Sequence, residues 1–128
     1  MRVLLDTHAL LFFAVDSDRL SRHARDVFAG SGNELLWSAA SSWEVAIKFA
    51  LGRLKLVKPP REILPELLQQ QRIGSLPIEH SHAFRAAELP PHHRDPFDRL
   101  LIAQAQVERI PILSRDPALR EYDVEVVW

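Results

Sequence analysis

Four carboxylates stand at or near points where a strand-like run gives way to a helix-like one: Asp6, Glu44, Asp98 and Asp116. Each has a local explanation. Asp6-Thr7 opens a helix, and either residue suits an N-cap. Ser41-Ser-Trp-Glu44 fits a capping box in which Glu44 reaches back to the Ser41 amide. Asp95-Pro-Phe-Asp98 has the same shape, with Asp95 as N-cap, Pro96 at N1 and Asp98 at N3. Asp116-Pro117 is again an acid followed by proline. Singly, capping is the simpler account, since the helix dipole favours acids at its start. Jointly the pattern says more. In a parallel α/β sheet such transitions share one edge, where ligands bind. Four acids gathered there would repel one another and push their pKa values up. A hard divalent cation removes that penalty, takes oxygen ligands and bridges phosphate oxygens. The chain has no cysteine and no obvious set of paired histidine ligands. The chemistry indicated is therefore metal-assisted phosphoryl transfer rather than a zinc site. No serine sits in a recognisable triad or elbow.

The elements that must position these acids can be read in order. Val3-Leu4-Leu5 is an apolar run without alternation, as expected of a strand buried on both faces. A helix from about Thr7 to Ala14 follows, then a second one capped by Ser21, with Ala24, Val27 and Phe28 on one face. Gly30-Ser-Gly-Asn33 is a turn. Leu35-Leu36-Trp37 reads as a second buried strand. Ala39–Leu51 reads as a helix whose apolar stripe is Trp43, Ala46, Ile47, Ala50 and Leu51, with Gly52 at C′. Trp37 and Trp43 are expected in the core. A further helix spans about 61–71 and is ended by Gly74, and Leu76-Pro-Ile78 is an edge strand. A weaker helix covers 80–88. The most apolar helix, about 96–108, is expected to be deeply buried. Strands over 110–113 and 123–128 complete the chain. Strands alternating with helices give an α/β fold with a mostly parallel sheet.

Bulk properties exclude several classes. The 128 residues suit one domain, residues 1–128, with 47% hydrophobic and 26% charged residues. A formal charge of −1 argues against binding nucleic acid by bulk charge alone. There is no signal-like N-terminus and no apolar run of membrane-spanning length, so the expected compartment is the cytoplasm, with no membrane partner.

Four motifs, in this order and spacing, carry a resemblance. They are Leu5-Asp6-Thr-His-Ala-Leu10, Ser38-Ala-Ala-Ser-Ser-Trp-Glu44, His93-Arg-Asp-Pro-Phe-Asp98-Arg-Leu-Leu-Ile-Ala103 and Leu113-Ser-Arg-Asp116. As a set they resemble the PIN domain and, more narrowly, the VapC-type ribonuclease toxins of type II toxin–antitoxin pairs. The resemblance covers nearly the whole chain. It implies a three-layer α/β/α sandwich with a central first strand. It also implies an acidic quartet of Asp6, Glu44, Asp98 and Asp116 that binds one or two Mg²⁺ or Mn²⁺ ions. Such a site hydrolyses RNA with a metal-activated water, leaving a 5′ phosphate and a 3′ hydroxyl. The implied partners are an RNA substrate, a cognate antitoxin gripped near the third and fourth helices, and a second copy in a homodimer.

Supporting roles fall to Thr7 and Ser114, whose hydroxyls can hold a ligand, a water or phosphate, and to Asp95 as N-cap or as support of the site. Lys48, one turn from Glu44, leads Arg94, Arg99 and Arg115 as a phosphate contact, with a solvated charge or ion pair as the plain alternative. His8 can pack or touch substrate. Zinc binding by His92–His93 or His80–His82 lacks an evident third ligand. A haloacid-dehalogenase-type phosphatase would need an acid two residues after Asp6, where His8 stands. The remaining alternative is a non-catalytic RNA- or protein-binding module whose acids are only helix caps.

Overall fold

The structure, a computed structural model, describes residues 1–128. The elements in chain order are β1 (Arg2–Leu5), α1 (Thr7–Ala14), α2 (Arg22–Ala29), β2 (Glu34–Ser38), α3 (Ala39–Ala50), α4 (Pro60–Gln70), β3 (Gly74–Leu76), α5 (His80–Glu88), α6 (Pro96–Glu108), β4 (Ile112–Leu113), a 3₁₀ turn (Pro117–Glu121) and β5 (Val126–Val127). The five strands form one sheet in the order β3-β2-β1-β4-β5, and every neighbouring pair is parallel. β1 is central, as the resemblance implied.

Alternation along the strands builds two cores. Val3 and Leu5 of β1, Leu35 and Trp37 of β2, and Leu113 of β4 face one side, where they meet Leu10, Val27, Val45 and Leu64 of α1–α4. Leu4, Leu36 and Ile112 face the other, against Leu101, Ile102 and Ala105 of α6. Val3, Leu4 and Leu5 have no accessible surface. Each such side chain contributes roughly 1.5–3 kcal/mol relative to exposure. The result is the expected three-layer sandwich. Its carboxyl edge, where β1 ends at Leu5 beside Leu113 of β4, is the point to which the acids come.

The helix starts are mostly as expected. Ser21 caps α2 by accepting from the Ala24 amide, and Gly52 follows α3 at φ 72°, a left-handed conformation that suits glycine. Three expectations need correction. α3 begins after Ser38, whose hydroxyl accepts from the Ala40 amide, so Ser41 lies inside the helix and the Ser41–Glu44 capping box does not form. The stripe of Trp43, Ala46, Ile47, Ala50 and Leu51 is not the buried face of α3. That face carries Ala40, Ser41, Glu44 and Val45, small or site-forming residues that let the helix approach closely, while Trp43 is 61% exposed. Finally, α4 stops at a left-handed Arg72, and Gly74 instead begins β3, two residues earlier than expected. Pro77 has no N–H for the ladder and falls just outside it. β4 and β5 are likewise shorter than their apolar runs.

Candidate metal centre

Asp6 leaves β1 at the carboxyl edge, its amide donating to the Leu113 carbonyl. It occupies the N-cap position of α1, yet its side chain makes no capping bond. Its Oδ2 accepts instead from Ser114 Oγ at 2.7 Å, from the end of the adjacent strand β4. Thr7 begins α1, and its Oγ1 donates to Glu44 Oε1 at 2.7 Å. The other oxygen of Glu44 accepts from Lys48 Nζ at 2.6 Å. Glu44 is thus a buried acid in mid-helix, 2% exposed, held by a hydroxyl and an ammonium. Lys48 is an ion-pair partner in this arrangement, one of the two readings its position allowed.

From the other layer, α6 brings Asp98. Asp95 caps this helix, its Oδ1 accepting from the amides of Phe97 and Asp98. Asp98 does not reach back, so its carboxylate is free to face the edge, where Oδ2 lies 3.0 Å from His93 Nε2. Asp116 is a true cap: Oδ1 accepts from the Ala118 amide at 2.9 Å. Its Oδ2 lies 3.5 Å from the same His93 nitrogen. Ser114 Oγ also accepts from the Asp116 amide, so one hydroxyl ties Asp6 to Asp116. Capping therefore accounts for Asp95 and Asp116 but not for Asp6, Glu44 or Asp98.

The electrostatics record how close the acids are. Asp98 has its pKa pushed up to about 8, first by burial and then by the charges of Asp6, Asp95, Glu44 and Asp116. Asp6 is also raised, chiefly by burial, with Glu44 adding to the rise and the Ser114 hydrogen bond opposing it. Such a cluster fits a divalent cation on the chemistry of its donors: carboxylate oxygens, short of compensating positive charge, without sulfur. Ser41 Oγ, buried one turn before Glu44 on the same helix face, has no partner either. His93, Asp98 and Asp116 present ligand atoms within 4.8 Å of one another.

Other candidates separate. Arg99 is not free to contact phosphate: its guanidinium donates to the carbonyls of Ala86, Leu89, Pro90 and His93. Arg115 shares with Asp6, His8 and Asp116 the wall of a cleft of about 390 Å³. Arg94 is exposed. The histidine pairs do not assemble a zinc site. His82 is buried between the Glu79 amide and Glu108, and His92 packs on Tyr122. A cavity of about 440 Å³ between α6 and the approach to β5 lies at the opposite end of the sheet from the acids. The sequence reading missed what His93 and Arg99 do, because loop carbonyls and ring tautomers leave no periodic signal.

Comparison with known proteins agrees with this architecture. The chain is 37% identical over 50 residues to Ribonuclease VapC16 of Mycobacterium tuberculosis, an alignment covering 39% of this chain and 36% of that relative's length. The fold is similar to that in the crystal structure of VapBC2 from Rickettsia felis bound to a promoter DNA fragment, with a TM-score of 0.74 at 12% identity over 99% of this chain and 98% of the other. It is also similar to a toxin–antitoxin complex from Klebsiella pneumoniae, with a TM-score of 0.68 at 17% identity over 98% and 96% of the two chains. No helix is long and apolar enough to cross a membrane. The family model described as PIN domain matches residues 3–125, nearly the whole chain, and the protein belongs to the PIN domain family.

Proposed function

We propose that the protein is a divalent-metal-dependent endoribonuclease, the toxin of a toxin–antitoxin pair. The observation that carries this reading is the convergence of Asp6, Glu44, Asp98 and Asp116 on one edge, where Asp98 is pushed to about 8 and three of the four acids cap no helix. Mg²⁺ or Mn²⁺ bound there would supply an activated water and stabilise the leaving oxygen. Asp6, Asp98 and Asp116 are the residues that would hold the metal, with Glu44 completing the set. Ser114 keeps Asp6 turned toward Asp116, and Thr7 and Lys48 hold the Glu44 carboxylate in place. Arg115, on the wall of the adjacent cleft, is placed to meet a substrate phosphate. Asp95 supports Asp98 by starting its helix. The antitoxin partner is supported by the exposed apolar stripe of α3 and by the groove between α3 and α4, lined by Ala46, Leu64 and Leu68. We infer a homodimer and a cytoplasmic location from the family alone.

The test is cleavage of a mixed RNA pool by purified protein with Mg²⁺ or Mn²⁺, with EDTA, and with Asp6→Asn. Cleavage lost in EDTA and in the variant is the expected result. Metal-independent cleavage, or full activity in Asp6→Asn, would remove the assignment. The cap-only alternative predicts that all three preparations behave alike.

A further inference from the structure

We propose that His93 is a positioning residue: it aligns Asp98 and Asp116 for the divalent cation through a single N–H and does not itself ligate the metal. The inference rests on the reading that these acids hold a metal.

The ring's tautomer follows from its neighbours. The Asp95 amide donates to His93 Nδ1 at 3.1 Å, so Nδ1 presents a lone pair and the ring proton is on Nε2. Nε2 lies 3.0 Å from Asp98 Oδ2 and 3.5 Å from Asp116 Oδ2, close polar contacts whose angles fall short of formed hydrogen bonds and which a small turn of the ring or carboxylates on loading the site would align. A metal bound at Nε2 would need the proton moved to Nδ1, where it would oppose the Asp95 N–H, donor against donor. Direct ligation is therefore disfavoured, although all three side chains could be grouped as ligands by distance alone. What the ring does instead is tie together two carboxylates from different elements, the first turn of α6 and the turn after β4. An N–H placed this close to two ligating carboxylates can fix their orientation once the hydrogen bonds form.

The backbone around His93 is built for the task. Its amide donates to Tyr122 Oη at 2.7 Å, and that hydroxyl donates to the Pro90 carbonyl. Arg99 grips the loop from the other side through the carbonyls of Ala86, Leu89, Pro90 and His93. Asp95 serves twice, since the residue that caps the helix of Asp98 also sets the tautomer of the ring that orients Asp98. A loop held at so many points keeps the imidazole in one rotamer, which a positioning role requires.

Two measurements test this. Two-bond ¹⁵N–¹H correlation on the metal-free protein should show His93 with its proton on Nε2; a proton on Nδ1 would overturn the proposal, whatever the variants do. Calorimetric titration of Mn²⁺ and Mg²⁺ is then compared for wild type, His93→Ala and His93→Gln, with folding checked by thermal melts. Alanine should weaken binding by about 10–100-fold. Glutamine, whose terminal N–H can take the place of Nε2–H, should recover most of that loss. Glutamine as weak as alanine would make His93 a ligand, and unchanged or tighter binding by alanine would make it a competitor for the cation's place; either refutes positioning. If His93→Ala does not fold, the glutamine variant and the tautomer decide. Wild type that binds neither metal would end this inference and the metal-dependent nuclease reading together. Binding with the expected variant pattern but no RNA cleavage would fell the nuclease reading alone.

Discussion

Replacing Asp98 by asparagine should make the metal-free protein more stable. The folded carboxyl lies at about 8 against an ordinary 3.8, so the native state holds this proton more tightly than the unfolded chain. The stabilisation from that proton is fully present below pH 3.8 and is lost as pH rises through about 8. At pH 7.5 the loss has a ceiling of about 5 kcal/mol, at 1.36 kcal/mol per pH unit between the two values. Proton sharing among the neighbouring acids and side-chain relaxation lower it to about 1–3 kcal/mol. Asparagine carries no charge to repel Asp6, Asp95, Glu44 and Asp116, and its side chain keeps an oxygen to set beside His93 Nε2. In EDTA at pH 8, Asp98→Asn should melt about 3–10 °C above wild type. At pH 4.5, less than one unit above the ordinary 3.8 while the folded carboxyl still keeps its proton, most of the gap should have closed. Differential scanning calorimetry across pH 4.5–8.5 measures this. A variant that melts at or below wild type at pH 8, or a gap that does not narrow toward pH 4.5, would show that Asp98 is not under like-charge strain.

Further outcomes follow from neighbouring contacts. Ser114→Ala removes a hydrogen bond that lowers the Asp6 pKa, so the acid limb of the RNA-cleavage profile of kcat/KM should move to higher pH, whereas Ser114→Thr should leave it in place. Lys48→Ala leaves the buried Glu44 without its ammonium and should cost about 1–3 kcal/mol in urea melts at pH 7.5. Arg99→Lys should cost about 2 kcal/mol or more, because a point charge cannot reach four carbonyls arranged for a planar fork; an unchanged melting temperature would show the clamp to be idle.

The sequence carried the order of the elements because local signals agreed with tertiary demand. Val3-Leu4-Leu5 is apolar at successive positions because the two layers of helices claim alternate side chains, and Ser21 and Asp95 mark helix starts by bonds that the structure contains. The closeness of Asp6 and Asp116 was legible for a similar reason, since strand ends in a parallel sheet share an edge, whereas Glu44 and Asp98 come to it from within α3 and α6. The face of α3 was not legible. Periodicity finds an apolar stripe but cannot say which side of the helix the sheet occupies, and here the sheet takes the side with Ala40, Ser41 and Glu44. Arg99 escaped for another reason, since an arginine beside an acidic site has the same letter whether it meets phosphate or four carbonyls of its own loop.

The bond between Ser114 and Asp6 joins residues 108 apart, and β1 meets β4 only near the end of the chain. This fixes the timing of assembly during synthesis. At roughly 5–20 residues per second, Asp6 leaves the peptidyl centre about 5–20 s before Ser114 and Asp116 have been added. Until then β1 can pair with β2 alone, and two of the groups that face Asp6 do not exist. A chain truncated before β4 keeps Asp6, Glu44 and Asp98 but lacks Asp116 and the Ser114 hydroxyl that bonds the Asp6 carboxylate. The complete acidic edge thus belongs only to a chain that has been made past β4.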